Sequence, residues 1–155
     1  MDFPLHYVPN NLTKKDKKKQ VSLLLKSKKL YKEGKYFTRS KIDSYKSKPS
    51  KHIINARKMY NIENITPNKA LAKKTGCKLV GLKQIVRKGE GAYYSSGSRP
   101  NQTPQSWGLA RLASAITAGK ASTVDFDILK KYCNHTKPAF LLAKKLKLKT
   151  RIGPL

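Results

Sequence analysis

The stretch that decides how this chain is read runs from Gly89 to Gly119, GEGAYYSSGSRPNQTPQSWGLARLASAITAG. Between Gly91 and Ala118 only Arg99 and Arg111 carry charge, in a chain where 35 of 155 residues are lysine or arginine. Two adjacent tyrosines, Tyr93 and Tyr94, precede a polar loop and the only tryptophan, Trp107. A run of alanine, leucine and isoleucine follows. Large aromatics carry the most apolar area per residue, so a segment this poor in charge is expected to be buried or tightly docked. It reads as the folding centre, and its basic flanks read as the part that meets a partner.

The flanks are a different material. The net charge is +27, with 17 basic and 4 acidic side chains in residues 1–58 and 6 and none in residues 135–155. Apolar residues make up 38% of the chain, below the norm of about 45–50% for globular domains. Such a charge density repels itself and is tolerated where a polyanion neutralises it, whether nucleic acid, anionic lipid head groups or an acidic protein lattice. Lysine greatly outnumbers arginine, which favours diffuse charge matching over bidentate recognition of single phosphates or guanines. Cys77 and Cys133 are too few for a disulfide framework and no secretory leader precedes them, so a reducing compartment is expected. No apolar run approaches the roughly 18 residues needed to cross a bilayer.

Local signals divide the chain into short helices. Residues 1–12 hold two prolines and scattered apolar side chains, and read as an extended segment docked on a surface. Thr13 with Asp16 three residues on resembles a capping box and opens a basic amphipathic helix from Lys14 to Lys32, stopped by Gly34. Its inward face is expected at Val21, Leu24, Leu25 and Tyr31. Residues 35–50 have no clear period and read as loop. Ser50 caps a helix over 51–61 with Ile53, Ala56 and Tyr60 inward, and Thr66-Pro67 opens another that stops at Gly76. A further helix is expected from Leu79 to Lys88, ended by Gly89. Thr103-Pro104 repeats the cap-then-proline signal and opens a helix to Ala118, with Gly119 as its left-handed stop. Ser122 or Thr123 caps a helix with Asp125 and Asp127 in its first turn, and Pro138 opens a last basic helix. Strand signals are scarce. The expected fold class is mainly α: a small module of several short helices with extended basic arms at both ends. The corresponding segments are a basic N-terminal arm (1–60), a compact helical core (61–134) and a basic C-terminal helix or tail (135–155).

Two motifs invite sharper readings. Ala72, Gly76, Cys77, Leu82 and Ile85 sit at the offsets of a helix-turn-helix, with Lys78, Leu79, Val80, Lys83 and Gln84 on the outer face. Leu79 and Val80 suit a DNA groove poorly, and Gly81 weakens the second helix by about 1 kcal/mol relative to alanine. A helical hairpin is therefore expected, without sequence readout. The loop Ser95–Gln102 is rich in donors, with Arg99 as counter-charge, but lacks the lysine and strand-to-helix setting of a phosphate loop. Its short polar side chains are expected to bond neighbouring backbone instead. Ala110, Ala113, Ser114 and Ala118 read as ordinary helix packing. Nothing assembles a catalytic or metal site: His6, His52 and His135 lie far apart, Cys133 and His135 lack a second ligand pair, and no serine elbow occurs. No enzyme activity and no cofactor are expected.

One longer pattern is distinctive. Gly91 to Thr103, GAYYSSGSRPNQT, continues as Ser106 to Thr117, SWGLARLASAIT, then Gly119-Lys120-Ala121-Ser122, Val124-Asp125 and Ile128-Leu129. Upstream stand Ala72, Thr75-Gly76-Cys77 and Ile85-Val86-Arg87-Lys88-Gly89. Over roughly residues 65–133 this resembles an uncharacterised domain of proteins from nucleocytoplasmic large DNA viruses. The resemblance implies a virus-encoded protein carried in the particle, most simply a minor capsid protein on the inner face of the shell. There it would join major and minor capsid proteins to each other, or to the membrane and genome beneath, after assembly in the host cytoplasm. Basic arms suit that role because they reach several neighbours at once. The partner-facing residues expected are Lys14, Lys15, Lys17, Lys18, Lys19, Lys26, Lys28 and Lys29, and at the other end Lys144, Lys145, Lys147 and Lys149. Phe3, Tyr7, Tyr31, Tyr36 and Phe37 are expected as apolar anchors between them. Tyr93, Tyr94, Arg99, Trp107 and Arg111 are the motif residues of the central module. The alternative is a sequence-indifferent DNA-binding protein packaged with the genome.

Overall fold

The computed structural model describes residues 3–151, and the elements among them are eight helices and no strand. In chain order these are α1 (Lys14–Lys32), α2 (Lys51–Tyr60), α3 (Lys69–Thr75), α4 (Leu79–Ser95), α5 (Pro104–Ala115), α6 (Lys120–Val124), α7 (Phe126–Tyr132) and α8 (Pro138–Arg151). None of them is long and apolar enough to cross a membrane. Contacts group the chain into two compact units. The first holds the described residues up to Lys48 together with Glu90–Trp107; the second holds Pro49–Gly89 and the described residues from Gly108 on. The segments 1–60, 61–134 and 135–155 drawn from composition thus do not coincide with compact units. Composition follows surface charge, whereas the units follow contacts between residues far apart in sequence. The stretch from Gly89 to Gly119 contributes to both.

In the first unit, α1 begins where expected. The Thr13 hydroxyl accepts from the Asp16 amide at 3.1 Å, and the Asp16 carboxylate in turn accepts from the Ser44 amide at 2.9 Å. Its inner face is Gln20, Leu24 and Ser27, while Leu25 is exposed. An apolar period alone placed Leu25 inside. The polar pair is buried instead because each makes a specific bond: Gln20 Nε2 donates to the Tyr7 carbonyl at 3.1 Å, and Ser27 Oγ accepts from Arg39 Nη1 at 2.8 Å. Residues 35–50 are irregular up to the cap of α2, yet Arg39 and Ile42 within them are buried. The loop after α4 closes over this surface at Gly97. Its φ of +114° favours glycine, and a Cβ there would come within 2.8 Å of Leu24 Cδ2.

The second unit holds the apolar core. Ala56, Tyr60, Ile65, Leu71, Leu82, Ile85, Leu112, Ile116, Leu129, Phe140 and Ala143 are all buried together. Burying each large side chain contributes roughly 1.5–3 kcal/mol, so this cluster dominates the stability of the unit. Ser50 caps α2 as read. The next helix starts two residues later than Thr66-Pro67 indicated, with Asn68 as its cap, its side chain accepting from the Leu71 amide at 2.8 Å. α3 ends at Gly76, which takes the left-handed conformation at φ +79°, and α4 follows after Cys77 and Lys78, with Cys77, Leu82 and Ile85 buried.

Three boundaries differ from expectation. Gly89 does not end α4, because it serves a close approach: a Cβ there would lie 2.5 Å from the Gly108 Cα. α5 ends at Ala115, and Ala118, not Gly119, takes the left-handed conformation at φ 58°. Gly119 is small for want of room, since a Cβ would meet Ser114 Oγ at 2.3 Å. Beyond it α6 and α7 are separate helices that start after Gly119 and Asp125, not at a cap on Ser122 or Thr123. The Asp125 side chain makes no cap bond, while its amide closes α6 by donating to the Ala121 carbonyl at 2.8 Å.

Cys77 and Cys133 form a disulfide across 56 residues of sequence. They face each other in an isolated antiparallel bridge, flanked by Lys78 N–H donating to the Tyr132 carbonyl at 2.8 Å and Asn134 N–H donating to the Gly76 carbonyl at 2.7 Å. A pair of cysteines with no framework pattern gave no signal of this, and the expectation of a reducing setting does not describe the bonded pair.

Candidate functional site

Charge is the dominant feature, and arithmetic limits how much of it the chain neutralises. Eight carboxylates against 35 lysines and arginines leave 27 positive charges unbalanced within the chain. Asp125 is committed to Arg111 in a bidentate pair, 2.8 Å to Nε and 2.7 Å to Nη2. This pair raises the Arg111 guanidinium above its ordinary value, against the opposing effect of burial. Asp125, read from sequence as a helix-start residue, is the fully buried anchor of that arginine.

The lysines expected to face a partner are on the surface. Lys14, Lys15, Lys18, Lys19, Lys26 and Lys29 of α1 are exposed, as are Lys144, Lys145, Lys147 and Lys149 of α8; Lys17 and Lys28 are half-buried. Some are held by the chain itself. Lys26 Nζ lies 4.6 Å from the centre of the Phe37 ring, Lys28 Nζ 5.5 Å from that of Phe3 and Lys147 Nζ 4.1 Å from that of Phe126. Lys19 Nζ donates to the Lys41 carbonyl at 3.1 Å. Phe3 and Phe37 therefore sit beneath lysines of their own unit. Tyr7 packs edge-on to Trp107, ring centres 6.0 Å apart, and its phenol is pushed up by burial against the opposing charges of Arg39 and Arg99.

Tyr31 and Tyr36 are brought together by the end of α1. The Gly34 amide donates to the Tyr31 carbonyl at 3.0 Å and the Lys35 amide to the Leu30 carbonyl at 2.8 Å, with Gly34 at φ +77°. This Schellman closure folds Tyr36 back over Tyr31. Tyr94, from the last turn of α4, completes a triad: it lies parallel to Tyr31 (5° between planes, centres 6.0 Å apart) and tilted to Tyr36 at 5.1 Å. Tyr36 remains 74% exposed and Tyr31 37%.

Beneath this surface lies the residue that sequence reading missed. Arg39 is buried and stacks on Tyr93, its guanidinium carbon 3.8 Å from the ring centre. Nη1 donates to Ser27 Oγ and to the Tyr93 carbonyl, Nη2 to Ser98 Oγ at 2.7 Å, and the Arg39 amide donates to the Tyr93 hydroxyl. Every acceptor is neutral, and desolvation lowers this guanidinium below its ordinary value. The available signal was compositional: an arginine stands in a segment that otherwise uses lysine, and only a planar fork reaches several acceptors at once. The polar loop is used in the same way. Asn101 Oδ1 accepts from the Ile42 amide at 2.7 Å and Ser98 bonds inward, whereas Arg99 is exposed. Beside them a groove of about 390 Å³ is lined by Thr38, Arg39, Lys41, Ser47, Asn101, Gln102 and Thr103. It contains two cations and no carboxylate.

Of the residues read from sequence as the outer face of a helix-turn-helix, Lys78, Val80 and Lys83 are exposed and Leu79 and Gln84 half-buried. Among the described residues no three His, Cys, Asp or Glu side chains converge as metal ligands would.

A sequence model of one protein family, described as a family of unknown function (DUF5824), matches residues 4–133. The chain belongs to that family. The match begins about sixty residues before the resemblance noted from sequence and takes in α1, Arg39 and the tyrosine triad; it ends at Cys133, leaving α8 outside. No curated protein and no solved structure shows significant similarity to the chain.

Proposed function

We propose that the protein is a non-enzymatic structural component of a virus particle, a minor capsid protein on the inner side of the shell that links neighbouring capsid subunits. The observation that carries the reading is the net surplus of 27 positive charges, with exposed lysines on α1 and α8. A surface of this kind is completed by an extended polyanion, not by a small substrate. On α8, Leu141 and Leu148 are exposed seven residues apart among Lys144, Lys145 and Lys147, a mixture of apolar and cationic contacts suited to an acidic protein surface. The resemblance of residues 65–133 to a domain of large DNA viruses supplies the setting.

A second reading, a sequence-indifferent nucleic-acid-binding protein packaged with the genome, is favoured by the exposed tyrosines beside the α1 lysines. Its partner would be genomic DNA; an anionic inner membrane is the third surface such charge would suit. Fractionation separates these. Particles are opened, their DNA is digested and lipid extracted, and the protein is followed by mass spectrometry. A capsid linker stays with the stripped shells. Release with the DNA overturns the capsid reading in favour of the second, and release with lipid overturns it in favour of a membrane-facing layer.

A further inference from the structure

We infer that Tyr31, Tyr36 and Tyr94 form a stacking ledge for unpaired bases of single-stranded nucleic acid. The inference rests on the reading that the cationic surface takes a polyanion, here the nucleic acid of the second reading above, and adds that the strand it takes is unpaired. A tyrosine ring left 74% in water is apolar area that folding does not use, and here it is also fixed in place. The Schellman closure at Gly34 sets the backbone beneath Tyr36, and Tyr31 and Tyr94 hold its ring from two sides at 6.1 and 5.1 Å. Tyr93, buried at the base, meets Tyr94 edge-on at 5.3 Å. The ledge is thus ordered before any ligand arrives, which lowers the entropic cost of binding.

Its surroundings select among ligands that stack on aromatics. Lys32 and Lys35 are exposed in the same turn, with Glu33 as the only acid between Tyr31 and Tyr36. A carbohydrate would want carboxylates and amides around the rings, and the turn offers neither beyond Glu33. An aliphatic protein surface would want exposed leucine or valine, and the turn has none. Duplex DNA presents phosphates, but its base faces are already stacked. A single strand presents both phosphates for the lysines and free base faces for the rings. Every base has such a face, so the contact is indifferent to sequence, in keeping with the surplus of lysine over arginine.

The test uses the full chain, a fluorescent single-stranded DNA 20-mer, the same sequence as a duplex, and inorganic polyphosphate as a polyanion without bases. Binding is followed by anisotropy, with polyphosphate as competitor. Tyr36→Ala and Tyr36→Leu are compared with wild type; a side chain this exposed tolerates both replacements without loss of fold, which circular dichroism checks. Both variants should weaken single-strand binding about tenfold, within the range for one base–aromatic stack. Duplex and polyphosphate binding should change less than twofold. Equal losses on all three ligands, or no loss on any, overturn the ledge while leaving the polyanion reading intact. Wild type that binds none of the three at low salt overturns the polyanion reading and the ledge with it.

Discussion

Replacing both Cys77 and Cys133 by alanine removes the only covalent cross-link and leaves its backbone frame in place. The bond closes a loop of 56 residues, and the loop-closure relation assigns such a closure roughly 4 kcal/mol at 25 °C, mainly by restricting the unfolded chain. The native side loses little more, because the Lys78–Tyr132 and Asn134–Gly76 hydrogen bonds on either side do not need sulfur. For a unit of this size, each kcal/mol corresponds to about 4–8 °C in Tm. The expected fall is therefore about 15–30 °C, with an unchanged helical spectrum at room temperature. Thermal unfolding by far-ultraviolet circular dichroism, oxidised against reduced and against the double variant, measures it. A reduced protein that melts within 3 °C or so of the oxidised one would refute the reasoning, as would a variant unfolded at 20 °C or so.

Other consequences follow from the same packing. Arg39→Met should destabilise the first unit by about 3 kcal/mol, because Ser27, Ser98 and the Tyr93 carbonyl lose a buried donor. Trp107 fluorescence reports on that unit, and Arg39→Lys should not restore it, since one ammonium does not span the three acceptors. Gly119→Ala should cost about 1–3 kcal/mol through its collision with Ser114, while Gly34→Ala, with no atom within 4 Å, should cost only about 1 kcal/mol for its positive φ; equal losses in denaturant titrations would contradict this. Tyr60 is buried with its hydroxyl donating to the Ile116 carbonyl, and burial pushes its phenol above the ordinary value of 10.0. The native state keeps that proton where the unfolded chain gives it up. Stability should therefore be full below pH 10 and fall as pH rises beyond it, and Tyr60→Phe should flatten that alkaline slope.

Much of this fold was legible locally. Thr13, Ser50 and Pro104 mark helix starts because a capping hydroxyl or a proline at the first position acts within one turn, and all three stand where the sequence placed them. What failed depended on distant residues. Gly89 looks like a stop until Gly108 is seen opposite it, and Leu25 looks buried until Tyr7 and Arg39 claim Gln20 and Ser27. The exposed lysines of the candidate surface were visible in composition, whereas the triad was not. Tyr31 and Tyr36 needed the turn at Gly34, and Tyr94 needed an α4 that continues past its glycines.

The buried Arg39 also sets a timetable. Two of the three residues it bonds, Tyr93 and Ser98, lie more than fifty positions downstream, and so does Asn101, which fastens Ile42. A ribosome delivers a chain from its N-terminal side, so α1 and residues 35–48 emerge before the residues on which they settle. Until Asn101 clears the exit tunnel, this lysine-dense stretch stays open to proteases, chaperones and any stray polyanion in the vicinity.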